Sequence, residues 1–203
     1  MPRYPDHWAE SFSGVIIDYG DAYYPHSINT PILIVDIAHA LSNICRFNGH
    51  SSAFYSVAEH SINVAALVMR ERPLDHVTAL GALLHDAHEA YLGDVITPLK
   101  RVLGSAYADL EARYNLLIGK EFGVDLSVLD DVVRQADLAM LEAERRYLCS
   151  PSVHDWGIDF GSLPGQMRRH AADLLMTSPL APDQAKHRFM LKFGEIAARV
   201  RKS

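Results

Sequence analysis

Apolar residues recur at helical spacing through most of the chain. From Val35 onward, Ile37, Ala40, Leu41 and Ile44 fall three or four apart, and Asn48-Gly49 closes the segment, which predicts a first helix over about 35–46. The same period predicts helices over about 54–70, 74–92, 105–122, 127–148 and 183–200. Gly93 stands where a helix C-terminal glycine belongs, and Pro98 and Gly104 mark a loop before the fourth helix. Near the N-terminus the period changes. Val15, Ile17 and Tyr19 alternate with smaller or polar residues, and with Gly20-Asp21 as the turn they predict a short β-hairpin between Ser13 and His26. Residues 149–182, rich in Pro, Gly and Ser, read as irregular. With no internal repeat, low-complexity tract or linker, the expectation is one all-α domain over 1–203. Its helical core covers about 35–148, preceded by the hairpin segment 1–34 and followed by an irregular segment plus final helix over 149–203.

Composition narrows the chemistry. A chain of 203 residues, 49% of them hydrophobic, builds a core of its own, since a domain of this size hides roughly 70% of the surface its unfolded form exposes. A metal is therefore expected for chemistry rather than for stability. The net charge of −6 and the absence of any basic run argue against a nucleic-acid polymer as partner, though a small phosphorylated ligand is compatible with both. Cys45 and Cys149 are far apart and in no Cys-x-x-Cys pattern, so neither a disulfide framework nor a thiolate zinc site is indicated. No signal-peptide core and no stretch near ~18 apolar residues is seen, so a cytoplasmic protein without a membrane partner is expected.

Eleven histidines invite a search for metal ligands. On the third predicted helix Leu80, Leu83, Leu84, Ala87 and Tyr91 form an apolar stripe, while His85, Asp86 and Glu89 gather on the other side. That spacing brings an imidazole and two carboxylates within reach of one point, whereas His88 lies about 160° around the helix from Asp86 and is excluded from the ligand set. A solvated polar face would look the same. On the second helix, however, His60 stands within the stripe of Val57, Val64 and Leu67, and on the fifth Asp137 stands among Val133, Met140 and Leu141. A buried imidazole alone is commonly a core histidine bonded to a carbonyl, but a buried carboxylate needs a cation. Three inward polar exceptions on three helices supply the nitrogen and oxygen donors of a transition-metal site with positions open to water. Other motifs fail: His88-Glu89 begins like a zinc-protease helix but Leu92 stands at the second ligand position, and no phosphate-binding glycine loop, dinucleotide fingerprint or nucleophile elbow occurs.

The strings Ala58-Glu59-His60-Ser61, Leu84-His85-Asp86-Ala87-His88-Glu89, Gly93-Asp94-Val95-Ile96-Thr97-Pro98-Leu99-Lys100 and Gln135-Ala136-Asp137 resemble the HD-domain metal-dependent phosphohydrolases, and within them the bacterial 5′-deoxynucleotidase branch. The resemblance covers roughly residues 35–148. It implies an HD-type helical bundle and one divalent transition metal, of the Mn, Co, Zn, Fe or Ni class, held by His60, His85, Asp86 and Asp137. It implies further that Glu89 is catalytic and that Arg46 handles phosphate beside Phe47. Asp94, Val95, Ile96 and Thr97 would contact the nucleotide, with Asp94 also placed to position water or protonate the leaving oxygen, and Lys100 would add positive charge. The implied reaction is hydrolysis of a deoxynucleoside monophosphate by a metal-activated water, in a protein that forms a homo-oligomer. Two features depart from that branch. Phe47 replaces the Trp that follows the phosphate-binding Arg, and Asp36–Ser42, Arg46–His50 and Phe54–Ala58 are similar to phage dATP triphosphohydrolases, which makes triphosphate release an alternative. Between Glu89 and Asp137 there is no histidine, which favours a single metal over the two of cyclic-dinucleotide phosphodiesterases. A nucleotide- and metal-binding module without turnover is the reading of another class.

Overall fold

A computed structural model of the chain describes residues 8–19, 31–151, 154 and 156–201. Two short strands, β1 (Trp8–Glu10) and β2 (Ile16–Asp18), precede the helices α1 (Ile34–Asn43), α2 (Val57–Glu71), α3 (His76–Leu84), α4 (Glu89–Leu92), α5 (Thr97–Leu103), α6 (Ser105–Phe122), α7 (Asp131–Leu148), α8 (Gly165–Leu174) and α9 (Pro182–Val200). The mainly helical fold expected from the periodicity is the one observed. Among the described residues no helix is long and apolar enough to cross a membrane.

The core is built around α2, which packs against α1, α3, α7, α8 and α9. That helix is buried on nearly every face, through Val57, Ala58, Val64, Ala65, Leu67 and Val68, and it carries His60 and Ser61 into the same interior. Its start is set by Ser56, whose hydroxyl accepts from the Glu59 N–H at 3.1 Å. Asp75 and Asp130 cap α3 and α7 in the same way, which is why α2 and α7 begin later than the apolar period alone suggests.

Four expectations about elements are corrected. The predicted 74–92 helix is two helices: α3 ends at Leu84, residues 85–88 form a tight turn, and α4 resumes at Glu89. The hairpin sits earlier in the chain. Trp8 pairs with Asp18 and Glu10 with Ile16 around a turn at 11–15, where Gly14 takes φ 75°, while Gly20-Asp21 lies outside the described residues. The buried Asp36 in the first turn of α1 holds that turn, accepting from the Ser11 hydroxyl at 2.7 Å and the Ser13 N–H at 2.9 Å. The predicted loop around Pro98 is α5; proline is compatible with the first turn of a helix, where its missing N–H has no intrahelical partner. Finally, the segment read as irregular contains α8, whose apolar period is short: Met167 and Ala171 are its buried residues, and the helix lies on α7.

Helices α5 and α6 form an arm. No residue of α5 is buried, and α6 docks mainly through Tyr114, whose ring stacks on Tyr91 at 4.8 Å, with Ile118 and Gly119 behind it. This leaves the loop 93–96 and Lys100 beside the turn that follows α3.

Candidate metal centre

His60 on α2 and His85 after α3 meet with their rings 5.3 Å apart, both buried. Each ring has its Nδ1 committed: His60 to a carboxylate oxygen of Glu144 at 2.7 Å, His85 to the Ala82 carbonyl at 2.8 Å. Both partners accept, so each Nδ1 carries a proton and each ring turns its Nε2 toward the same carboxylates. Neither buried Nε2 has a hydrogen-bond partner. Carboxylates stand opposite them instead. Asp86 Oδ2 is 3.2 Å from His85 Nε2 and 3.7 Å from His60 Nε2, and Asp137 Oδ1 is 3.1 Å and 3.9 Å from His60 and His85. Ligands at about 2.1 Å in a tetrahedral set lie about 3.4 Å from one another, so these separations suit a shared ion.

His60, His85 and Asp86 form the tightest group, which could hold a metal ion, and Asp137 closes it from α7. One detail of the sequence reading is corrected: Asp137 is not fully buried, its side chain being 36% exposed. The buried carboxylate of α7 is Glu144, wholly excluded from solvent. Burial and the nearby Arg46 guanidinium both disfavour a charged His60, yet Glu144 and Asp137 outweigh them and raise its pKa to about 9. Asp86 is held well below the carboxylate range, its burial overcome by His85, His60 and Arg46. The pocket thus attracts positive charge, and a divalent cation would displace the proton it otherwise holds.

Arg46 comes from the turn Arg46–Gly49, where Phe47 and Asn48 both adopt left-handed backbone, φ 57° and 51°. Asn tolerates that conformation and Phe does not, so the turn is strained at the residue that places its ring 5.5 Å from the Arg46 guanidinium carbon. The Arg46 Nε donates to Glu144 at 3.0 Å, and its NH1 lies 3.8 Å from Asp86. Burial would lower its pKa; the ring of carboxylates, Glu144 first, raises it instead.

Glu89 is buried at the start of α4, with one carboxylate oxygen lacking a partner. Burial, and then the charges of Asp86 and Asp94, push its carboxyl well above the usual range. Asp94 is raised in the same way, chiefly by burial. Lys100 is drawn into an ion pair with Glu111 at 2.6 Å, and the same Glu111 oxygen is 3.1 Å from His88 Nε2. His88, in the turn, therefore pairs with the arm and stands outside the ligand group. Val95, Ile96 and Thr97 line the loop into α5, partly or fully exposed. His39 is placed elsewhere, stacked on Phe12 at 3.9 Å and beside Lys186.

Glu144 is the residue that sequence reasoning misses. It sits in the charged run Glu142-Ala143-Glu144-Arg145-Arg146, which reads as a solvated face. A signal was available: seven residues after Asp137 is about 20° short of two full helical turns, so both point the same way.

No family model matches the chain. Two curated relatives do. The uncharacterized protein YfdR of Escherichia coli K12 is 40% identical over 180 residues, covering 88% of this chain and 92% of its own. An uncharacterized protein of Rhodobacter capsulatus is 38% identical over 148 residues, covering 68% of this chain and 72% of its own.

Proposed function

Because the chain belongs to one family with the uncharacterized Escherichia coli protein YfdR, whose name assigns no activity, we propose a function from the site itself: a metal-dependent hydrolase of nucleotide phosphate esters, acting on deoxynucleoside 5′-monophosphates. The observation that carries it is the pair of buried Nε2 atoms without partners, each on a ring whose Nδ1 is tied back to an acceptor and each facing Asp86 and Asp137. A buried polar atom without a partner costs roughly 1–3 kcal/mol, and two of them aimed at one point suit a ligand that fills it. The resemblance of these motifs to HD-type phosphohydrolases supports the same donor set, with His60, His85, Asp86 and Asp137 holding one divalent transition metal.

When bound, such an ion polarises a phosphoryl oxygen and lowers the pKa of water toward neutrality. The chain's own groups do the rest. With its Nε taken by Glu144, Arg46 has its terminal nitrogens, of which NH1 lies 3.8 Å from Asp86, to offer a phosphate group. Glu89, buried beside Asp86, accepts the proton that the attacking water gives up, a role helped by the upward displacement of its pKa. Asp94, similarly raised, is the group for the leaving 5′ oxygen. Phe47, held by the left-handed turn, forms a wall beside the phosphate.

The supply of positive charge favours a monophosphate over the triphosphate alternative. Among the described residues Arg46 is the cation that touches the cluster's carboxylates, while Lys100 is occupied by Glu111. The test is phosphorus-resolved product analysis with deoxy and ribo mono- and triphosphates, each with Mn, Co, Zn and Mg, and Asp137→Ala as control. Orthophosphate from deoxynucleoside monophosphates is expected. Intact tripolyphosphate from a triphosphate would move the assignment to the triphosphohydrolases, and no Asp137-dependent product would leave a binding module.

A further inference from the structure

Glu144 is fully buried, and both of its oxygens are used. One accepts from His60 Nδ1 at 2.7 Å and the other from Arg46 Nε at 3.0 Å. The first contact lies behind a candidate metal ligand and the second behind the candidate phosphate-binding cation. The two donors do not compete, because each is served by its own carboxylate oxygen.

We propose that Glu144 is a positioning residue that sets both halves of the site at once. It fixes the His60 tautomer so that Nε2 is free for the metal, and it pins Arg46 through Nε so that the two terminal nitrogens face the phosphate. Metal affinity and phosphate affinity thereby depend on one side chain that touches neither ligand. The inference rests on the reading of the metal centre given above. It goes further in naming a residue on α7, outside every motif used for that reading, and in predicting that two separable bindings both depend on it.

Glu144→Gln tests it, since the amide keeps the shape but has a single acceptor oxygen for two donors. If its oxygen serves Arg46, its NH2 meets His60 Nδ1 and forces the proton onto Nε2; if its oxygen serves His60, the NH2 confronts the Arg46 Nε–H. Mn2+ affinity is read without substrate by electron paramagnetic resonance, and inorganic phosphate affinity is read by calorimetry at saturating Mn2+. A tenfold or greater loss is expected in Mn2+ affinity, phosphate affinity or both, the usual scale for removing the partner of a ligating histidine. Both constants within threefold of wild type in a folded Glu144→Gln would overturn the proposal while leaving the metal-centre reading in place. A wild type that binds no Mn2+, Zn2+ or Co2+ would overturn that reading and this proposal with it. Should Glu144→Gln not fold, Glu144→Asp keeps the charge but is one methylene short of spanning both partners. It too is expected to lose at least tenfold in one of the two affinities, and wild-type values for both would count against the role.

Discussion

At the level of single side chains the site is a contest between burial and charge. His60, Asp86, Glu89 and Glu144 are each taken partly or wholly out of water, and each is held in its protonation state by named neighbours. Glu89→Gln is expected to reduce turnover by about 10²-fold or more while leaving Mn2+ affinity within threefold. A matching loss of metal would reassign Glu89 as a ligand. Backbone strain gives a second prediction. Asn48 sits at φ 51° without the freedom of glycine, so Asn48→Val should destabilise the protein by about 1–2 kcal/mol, the typical left-handed penalty, as measured by chemical denaturation. A polar side chain on an apolar stripe was legible for His60, whereas Glu144 was concealed among charged neighbours and Asp137 was legible only in kind, being more exposed than its apolar neighbours suggest.

At the scale of elements, the apolar period predicts boundaries well where glycines bracket it. Helix α6 spans the predicted 105–122 because Gly104 and Gly123 flank it. The break after Leu84 was invisible because apolar residues continue across it; turn hydrogen bonds such as Ala87 N–H to the Leu84 carbonyl, not composition, interrupt the helix. Near the end of α6, Gly119 meets the Val124 carbonyl, and an added Cβ would stand 2.5 Å from that oxygen. Gly119→Ala, which normally stabilises a helix interior by roughly 0.5–1 kcal/mol, is therefore expected to lower the melting temperature; an increase would show that the turn after α6 yields freely. The arm offers a pH test. Burial raises the pKa of Glu111, but hydrogen bonds from His88 and Lys100 outweigh it and bring it below 4.5. A depressed carboxylate stabilises above its unfolded value and loses that contribution as pH falls. Glu111→Gln should thus cost about 1 kcal/mol at pH 7, or roughly 2–4 °C, and the gap from wild type should shrink below pH ~4.5.

For the molecule as a whole, one set of helices both forms the core and holds the candidate ligands. His60 lies on the most buried helix, and Asp137 and Glu144 lie on its neighbour α7. Any ion bound only by the folded form must therefore stabilise the fold. Mn2+ at a hundredfold excess over its dissociation constant adds about 2.7 kcal/mol, which for a chain of this length raises the melting temperature by about 5–10 °C relative to protein in chelator. The increment should vanish in Asp137→Ala. Differential scanning fluorimetry with and without metal reads both, and an equal melting temperature in all four conditions would show that the cluster takes no ion.

The tight turn at 85–88 has a consequence for how sequences of this kind can diverge. His85 and Asp86 lie before α4 and Glu89 begins it, with i to i+3 hydrogen bonds at Glu89, Ala90 and Tyr91. Within such a winding, one inserted residue swings everything after it by about 100° or more, carrying Glu89 off the ligand side while Tyr91 leaves its stack on Tyr114. Point substitutions can be absorbed singly at many positions of this fold, but length changes between His85 and Tyr91 would break chemistry and packing in one event. Working homologues are therefore expected to keep an invariant count of residues there even where their identities drift.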